Sequence, residues 1–157
     1  MKTNKTLDFS LLVVRIAIGL VVAAHGAQKL LGWFGGYGFE GTMGFFTGVI
    51  GLPYILSLLI ILAESLGMIA LVFGLFSRVL SASLILIMVG AIVTTHAEFG
   101  FFMNWSGAQD GEGFEFHLLV IALASVVLLN GAGRYSLDAA IKRKLENTSR
   151  LSTAIFA

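Results

Sequence analysis

Residues 9–31 read FSLLVVRIAIGLVVAAHGAQKLL, and this stretch decides the fold. Between residues 11 and 20, only Arg15 is neither apolar nor glycine. A helix needs about 20 mostly apolar residues to cross a bilayer, so the stretch predicts a membrane-spanning helix. Its end is unusual for such a helix, because His25, Gln28 and Lys29 follow one another within about one helical turn.

The composition of the whole chain also favours a membrane protein. Of the 157 residues, 57% are hydrophobic and only 12% are charged, and the mean hydropathy is +0.94. Soluble domains are about 25% charged. The chain has no cysteine, which excludes disulfides, thiolate metal sites and a cysteine nucleophile. The net charge of +1 gives no indication of a nucleic-acid partner.

Four segments are apolar enough, or nearly so, to cross the membrane. We predict spans at about 9–31, 53–76, 79–97 and 114–130, within a transmembrane domain of residues 1–135. Lipid requires each segment to satisfy its own backbone hydrogen bonds, which favours helices. The predicted fold is therefore all-α, a polytopic integral membrane four-helix bundle whose first helix is retained and is not a signal peptide.

The distribution of basic residues predicts the orientation of the bundle. Lys and Arg concentrate on the cytoplasmic side of membrane proteins. With four spans, eight of the ten basic residues fall on one side, the exceptions being Lys29 and Arg15, which lies within the first span. Both termini should therefore be cytoplasmic, and the glycine- and aromatic-rich loops 32–52 and 98–113 should face outward. Residues 136–157 then form a cytoplasmic tail, basic and amphipathic, with Ser136 as its helix cap and the inner leaflet as its surface.

This topology gathers polar side chains in the outer half of the bundle. His25, Gln28, Lys29 and His96 lie near the outer ends of the first and third spans, and Glu64 lies about halfway along the second. A carboxylate there costs about 2.5 kcal/mol or more unless it is paired or neutral. The candidate partners of Glu64 are Arg15, His25 and Lys29. Glu64 and its partner form either an ion pair that locks the helices together or a functional site.

Four motifs resemble the DoxX family of small bacterial four-helix membrane proteins. They are HGAQKLLGWFGG at 25–36, LAESLG at 62–67, FSRVLSASLILIMVGAI at 76–92 and NGAGRYSLD at 130–138. The resemblance extends over about residues 7–138. It implies a bacterial inner-membrane protein, and the family takes its name from a subunit associated with a terminal quinol oxidase and thiosulfate:quinone oxidoreductase.

The resemblance also selects individual positions of this sequence. The residues that match the family pattern are Arg15, His25, Gln28, Lys29, Gly32, Glu64, Arg78, Gly133, Arg134 and Asp138. It assigns no clear role to His96, Glu115 or His117. Other members of the family are linked to redox-stress complexes, so the resemblance favours quinone-linked redox chemistry.

The leading functional hypothesis is a membrane redox component that binds a quinone near the outer face. Glu64 and His25 would be its catalytic residues, with cofactor contacts from His25, Gln28, Lys29, Glu64, Arg15 and His96. The chain has no self-contained catalytic motif and no visible electron donor, so it requires other membrane or periplasmic redox subunits. Histidines on facing helices could instead ligate a haem, but no spacing demands it, and we assign no metal site.

Two hypotheses of other classes remain open. The first is a non-catalytic scaffold or anchor subunit of a larger complex, in which Gly19, Gly26, Gly67, Gly74 and Gly90 would pack against neighbours. The second is a small proton-coupled transporter with Glu64 as the coupling carboxylate, which would require a homo-oligomer. In all three hypotheses the surrounding partner is the lipid bilayer.

Overall fold

The computed structural model describes residues 4–155, and their secondary structure is all helical, without a strand. The α-helices, in chain order, are α1 (Lys5–Leu31), α2 (Gly38–Gly44), α3 (Tyr54–Leu62), α4 (Met68–Phe73), α5 (Ser77–Ala91), α6 (Glu115–Asn130) and α7 (Leu137–Ile155). Three π-helical turns join or extend them, and we name these π1 (Phe45–Val49), π2 (Ala63–Gly67) and π3 (Ile92–His96). The prediction of an all-α membrane protein is confirmed.

Three continuous helical segments in the described part are long and apolar enough to cross a membrane. They are Lys5–Leu31, Tyr54–Phe73 and Ser77–Phe99, and Glu115–Asn130 is a shorter apolar helix. The first segment begins four residues before its predicted start, because the Asn4 side chain accepts a hydrogen bond from the Leu7 amide and caps it there. The second ends earlier than predicted, at Gly74, whose φ of +71° stops the helix.

Helix α1 crosses the second segment at very close range. A Cβ placed on Gly26 would lie 2.2 Å from the Glu64 carbonyl oxygen and 2.5 Å from the Ser65 Cα. Gly19, two turns earlier, lies against Met68 and Val72 in the same way. The two backbones can therefore touch only because neither glycine carries a side chain.

The glycines proposed to pack against other subunits are mostly used inside this chain. Gly19 and Gly26 contact the second segment, Gly67 faces Leu80, and Gly74 lies against Arg15 and Ser136. At Gly90, by contrast, an added Cβ would meet no atom within 4 Å. The glycine pattern therefore explains the packing of this bundle better than it explains docking to a neighbour.

The core is a narrow apolar seam between the helices. Its buried members include Ile18 and Val22 from α1, Met68 from α4, Leu84 from α5 and Ala124 from α6. Many large apolar side chains face outward instead, such as Leu20, Leu86 and Leu129, which are at least 60% exposed. Such a surface is expected where lipid is the solvent.

Polar contacts tie together the end of the bundle that holds the N-terminus. The Arg15 side chain is fully buried and donates to the backbone oxygens of Leu71, Val72 and Tyr135, at 3.3, 2.9 and 2.6 Å. At the same end, Asp8 accepts from the Arg134 amide. These bonds hold the segment between α6 and α7 against α1 and the end of α4.

Candidate functional site

A mainly apolar cavity of about 410 Å³ lies between α3 and α5. Leu56 and Ile60 of α3 form one wall, and Leu86 and Ile87 of α5 form the other. Helix α5 contacts the segment Tyr54–Phe73 chiefly at π2 and α4. Helix α3, the first half of that segment, diverges from α5, and the divergence leaves this gap. Phe45 and Phe46 of π1 cover the end of the gap, and the volume falls in the range of ligand sites.

The polar floor of the cavity is an ion pair. Lys29 Nζ lies 2.6 Å from Glu64 Oε2, and both residues line the cavity. The Glu64 side chain is 3% exposed, whereas that of Lys29 is 29% exposed. Lys29 is therefore the partner of Glu64, and Arg15 is not, although the sequence left both open.

All three π-helical turns in the described residues contribute to the cavity wall. Phe45 and Phe46 belong to π1, Glu64 to π2, and Thr94, Thr95 and His96 to π3. A π turn inserts an extra residue into an α-helix and rotates the side chains that follow, and such turns are frequent at functional sites. Three of them around one volume make this cavity the candidate functional site.

The part of the cavity wall that contains His96 is held in place by the loop that follows π3. His96 lines the cavity, and its Nδ1 donates to the backbone oxygen of Glu112 at 2.8 Å, because a carbonyl can only accept. Beside it, Thr94 donates to the Gly90 oxygen at 2.8 Å and contacts the Thr95 hydroxyl at 3.3 Å. The polar groups of π3 are thus oriented by backbone atoms.

A second histidine lies directly behind His96. The ring centroids of His96 and His117 are 4.2 Å apart, with a tilt of 45° between the rings. His117 is 6% exposed, and its Nδ1 has no hydrogen-bond partner among the described residues. A buried polar atom without a partner is unusual in a folded protein and requires an explanation.

His25 and Gln28 lie near the cavity but do not line it. Gln28 Nε2 donates to the Phe34 oxygen at 3.3 Å, so its amide oxygen faces His25 Nδ1 at 3.1 Å. The His25 ring contacts Phe116 of α6, with centroids 5.7 Å apart. Of the residues predicted for the site, the structure brings together Lys29, Glu64 and His96, with His25 and Gln28 on the adjacent turn.

Arg15 is the predicted site residue that the structure places elsewhere. Its guanidinium is bonded to backbone oxygens at Leu71, Val72 and Tyr135, and it does not line the cavity. The sequence made Arg15 a candidate partner of Glu64, but the Leu71 and Val72 carbonyls at the end of α4 bind its guanidinium instead.

The donor set of the described residues does not form a metal centre. No three His, Asp or Glu side chains within residues 4–149 group closely enough to hold a metal ion. The His96–His117 pair alone supplies only two imidazoles in ring-to-ring contact. The polar atoms of the cavity are instead hydrogen-bond donors and acceptors beside apolar walls, which suits an organic ligand.

Comparison with known proteins agrees with the motifs in the sequence. The profile of the DoxX family matches residues 10–97. The chain belongs to the DoxX family. It is also 30% identical, over 135 residues, to a protein of Bacillus subtilis (strain 168) named "Putative oxidoreductase CatD", which covers 86% of this chain and 89% of that protein. No solved structure matches this DoxX protein.

Two features of the site were not predicted from the sequence. They are the π turns and the contact between His96 and His117. His96 did carry a signal, since the sequence placed it near the outer end of the third predicted span. The π turns π2 and π3 gave no signal in the sequence, because their sequences AESLG and IVTTH are compatible with an ordinary α-helix.

Proposed function

We propose that this DoxX protein is a four-span component of the bacterial inner membrane that binds a quinone in the cavity between α3 and α5. It would take part in quinone-linked redox chemistry together with a partner subunit. The observation that carries this proposal is the cavity itself, an apolar gap between two lipid-facing helices that ends on the Lys29–Glu64 pair and His96.

The apolar part of the cavity suits the isoprenoid tail of a quinone. Leu56 of α3 is 44% exposed and Leu86 of α5 is 73% exposed, so the walls continue into the outer surface of the bundle. A lipid-soluble ligand would then enter sideways from the bilayer. A water-soluble substrate would gain little from such walls, because their contacts are non-directional and apolar.

The polar end suits the head group. Lys29 carries three N–H donors, and the bond to Glu64 uses one of them, so the others are available for a carbonyl oxygen. Glu64 holds the ammonium in place and compensates its charge. A bound quinone or hydroquinone would supply the electron-transfer chemistry, while Lys29, Glu64 and His96 would bind the head group and exchange protons with it.

The orientation with both termini in the cytoplasm is part of this proposal. Arg78, Arg134 and Lys142 line one polar cavity of about 540 Å³ together with Asn4 and Asp8 near the N-terminus. Lys29 lies at the opposite end of α1. By the positive-inside tendency, the cavity of Lys29 would lie in the outer half of the membrane and α7 would lie at the inner leaflet.

A partner is required because the chain supplies no electron carrier of its own. It contains no cysteine for an iron–sulfur cluster or a dithiol. The exposed aromatic residues of the outer loops, among them Tyr37 and Trp105 at 87% exposure each, give a partner subunit a surface on which to dock. The name of the Bacillus subtilis relative supports an oxidoreductase assignment in general terms.

The first experiment is extraction of ligands from the purified protein, followed by mass spectrometry. We expect about one quinone per chain and its loss in a Gly90→Leu variant, because Gly90 lines the cavity and faces open space. Gly44→Leu is the matched control, since Gly44 also faces open space in a helix but does not line the cavity.

Other results would contradict the proposal in distinguishable ways. Wild-type protein that carries only bulk phospholipid would favour the scaffold hypothesis. A Soret band in the absorption spectrum would assign the histidines to haem ligation. Equal loss of quinone in both leucine variants would show that the ligand does not occupy this cavity.

A further inference from the structure

The hydrogen-bond pattern at π3 fixes which atoms donate and which accept. His96 Nδ1 must carry its hydrogen, because the Glu112 oxygen that it meets at 2.8 Å can only accept. In the neutral imidazole the other nitrogen, Nε2, is then an acceptor. Nε2 has no protein hydrogen-bond partner in the described part of the chain.

The neighbouring threonines give the same result. The Thr94 hydroxyl hydrogen is used on the Gly90 oxygen at 2.8 Å. The 3.3 Å contact between Thr94 and Thr95 must therefore be donated by Thr95. The Thr95 hydroxyl has used its hydrogen and keeps its lone pairs, so it remains an acceptor.

Lys29 differs from these residues, because its ammonium is a donor only and keeps two N–H groups after its bond to Glu64. Lys29, Glu64, Thr95 and His96 all line the cavity. Its polar lining therefore combines a donor, Lys29, with acceptors on Glu64, Thr95 and His96. An oxidised quinone has only acceptor oxygens, whereas each hydroxyl of a hydroquinone both donates and accepts.

We propose that the cavity selects the reduced, hydroquinone form of its ligand, with one hydroxyl donating to His96 Nε2 and the other oxygen accepting from Lys29. This inference depends on the proposed quinone function and specifies the form of the ligand that the site recognises. Thr95 is the second acceptor for the same hydroxyl. The His117 ring, packed at 4.2 Å, restrains the His96 ring so that Nε2 keeps its direction.

The test is equilibrium binding to protein reconstituted in lipid nanodiscs. The probes are a short-tailed hydroquinone, held reduced under anaerobic conditions, and the quinone with the same tail. We expect the hydroquinone to bind about tenfold more tightly than the quinone, the factor for one net hydrogen bond of about 1.4 kcal/mol. In His96→Phe the two forms should bind equally, because phenylalanine keeps the ring contact with His117 and removes the acceptor.

Two further variants make the test specific. His25→Phe is the matched control, because it makes the same substitution at a histidine that does not line the cavity. This variant should retain the preference for the hydroquinone. Thr95→Val removes the second acceptor without a change in shape and should reduce the preference about threefold. It also provides a result if His96→Phe fails to fold.

The outcomes separate this inference from the proposed function. If both forms bind equally to the wild type, or if the preference survives both His96→Phe and Thr95→Val, the inference is wrong and the quinone function stands. If neither form binds, both are wrong. A preference that disappears in His25→Phe would place the acceptor on α1 and overturn the assignment to His96.

Discussion

Lys29 Nζ and Glu64 Oε2, 2.6 Å apart, join the last turn of α1 to the π turn in the middle of the second membrane segment. The pair forms because Gly26, three residues before Lys29, lies directly on the Glu64 backbone. Its two members differ in burial, since the Glu64 side chain is 3% exposed and the Lys29 side chain is 29% exposed. This difference allows a prediction about which partner the fold can lose.

Removal of Lys29 should destabilise the protein more than removal of the Glu64 charge. Lys29→Met leaves a buried carboxylate without a partner, and the loss of one partner of a buried pair costs about 3–5 kcal/mol. Glu64→Gln leaves a lysine that can extend toward the surface, so its cost should be smaller by about 1 kcal/mol or more. The free energy of unfolding in mixed micelles measures both.

The double variant Lys29→Met/Glu64→Gln serves as the control for this comparison. It should be more stable than Lys29→Met alone, because neither charge remains buried. Equal costs for the two single variants, or a double variant less stable than either, would show that the burial of Glu64 does not control the energetics of the pair.

A side chain at Gly26 should separate α1 from the second segment. Even Gly26→Ala places a Cβ 2.2 Å from the Glu64 carbonyl oxygen, a backbone atom that cannot rotate away. We expect a loss of about 1–3 kcal/mol in the free energy of unfolding, typical of overpacked interiors, and a weaker Lys29–Glu64 contact. Gly90→Ala is the control and should cost little, because its Cβ would lie in open space. Similar losses for the two variants would argue against the close crossing.

The approximate positions of the long apolar helices could be predicted from the sequence because they follow from simple counting. A run of about 20 apolar residues has few alternatives to a helix in lipid. The predicted ends at 31 and 130 agree with α1 and α6 as observed. The ends at 9 and 76 differ, since they depend on the Asn4 cap and on the left-handed conformation of Gly74, which hydropathy does not register.

The candidate site could be predicted only in part. Lys29 and Glu64 stood out because ionisable residues in a membrane segment require partners. The choice between Arg15 and Lys29 depended on the crossing point at Gly26 and on the contact of Arg15 with the carbonyls in the last turn of α4, which are tertiary features. The contact of His96 with His117 depends on the π3 turn, whose extra residue sets the direction of the His96 ring.

Arg15 should be required for the docking of the segment that follows α6. Its guanidinium is bonded to the Tyr135 oxygen as well as to two oxygens at the end of α4. Hydrogen bonds of charged groups contribute about 1.5–3 kcal/mol each, so Arg15→Met should lower the free energy of unfolding by about 3 kcal/mol or more. It should also accelerate tryptic cleavage after Arg134.

Arg78→Met is the matched control for Arg15→Met. Arg78 is exposed, and within the described residues its side chain makes one hydrogen bond, to the Leu129 oxygen at 3.2 Å. Its replacement should cost less than about 1 kcal/mol. If Arg15→Met were no worse than Arg78→Met, the three bonds to Arg15 would not hold the segment in place.

Asp138 should stabilise α5 although it lies 61 or 62 residues away along the chain. Its two carboxylate oxygens accept from the Phe76 and Ser77 amides, each at 2.9 Å, and so cap the start of α5 from α7. Asp138→Asn replaces one acceptor by an NH₂ group that faces an N–H donor. The expected cost is about 1–2 kcal/mol, since a lost helix cap costs about 1 kcal/mol and the bond here is charge-assisted. Asp110→Asn, in the exposed loop before α6, should leave the thermal unfolding midpoint unchanged. If Asp138→Asn also left it unchanged, the cap would contribute nothing and α7 would not hold the start of α5.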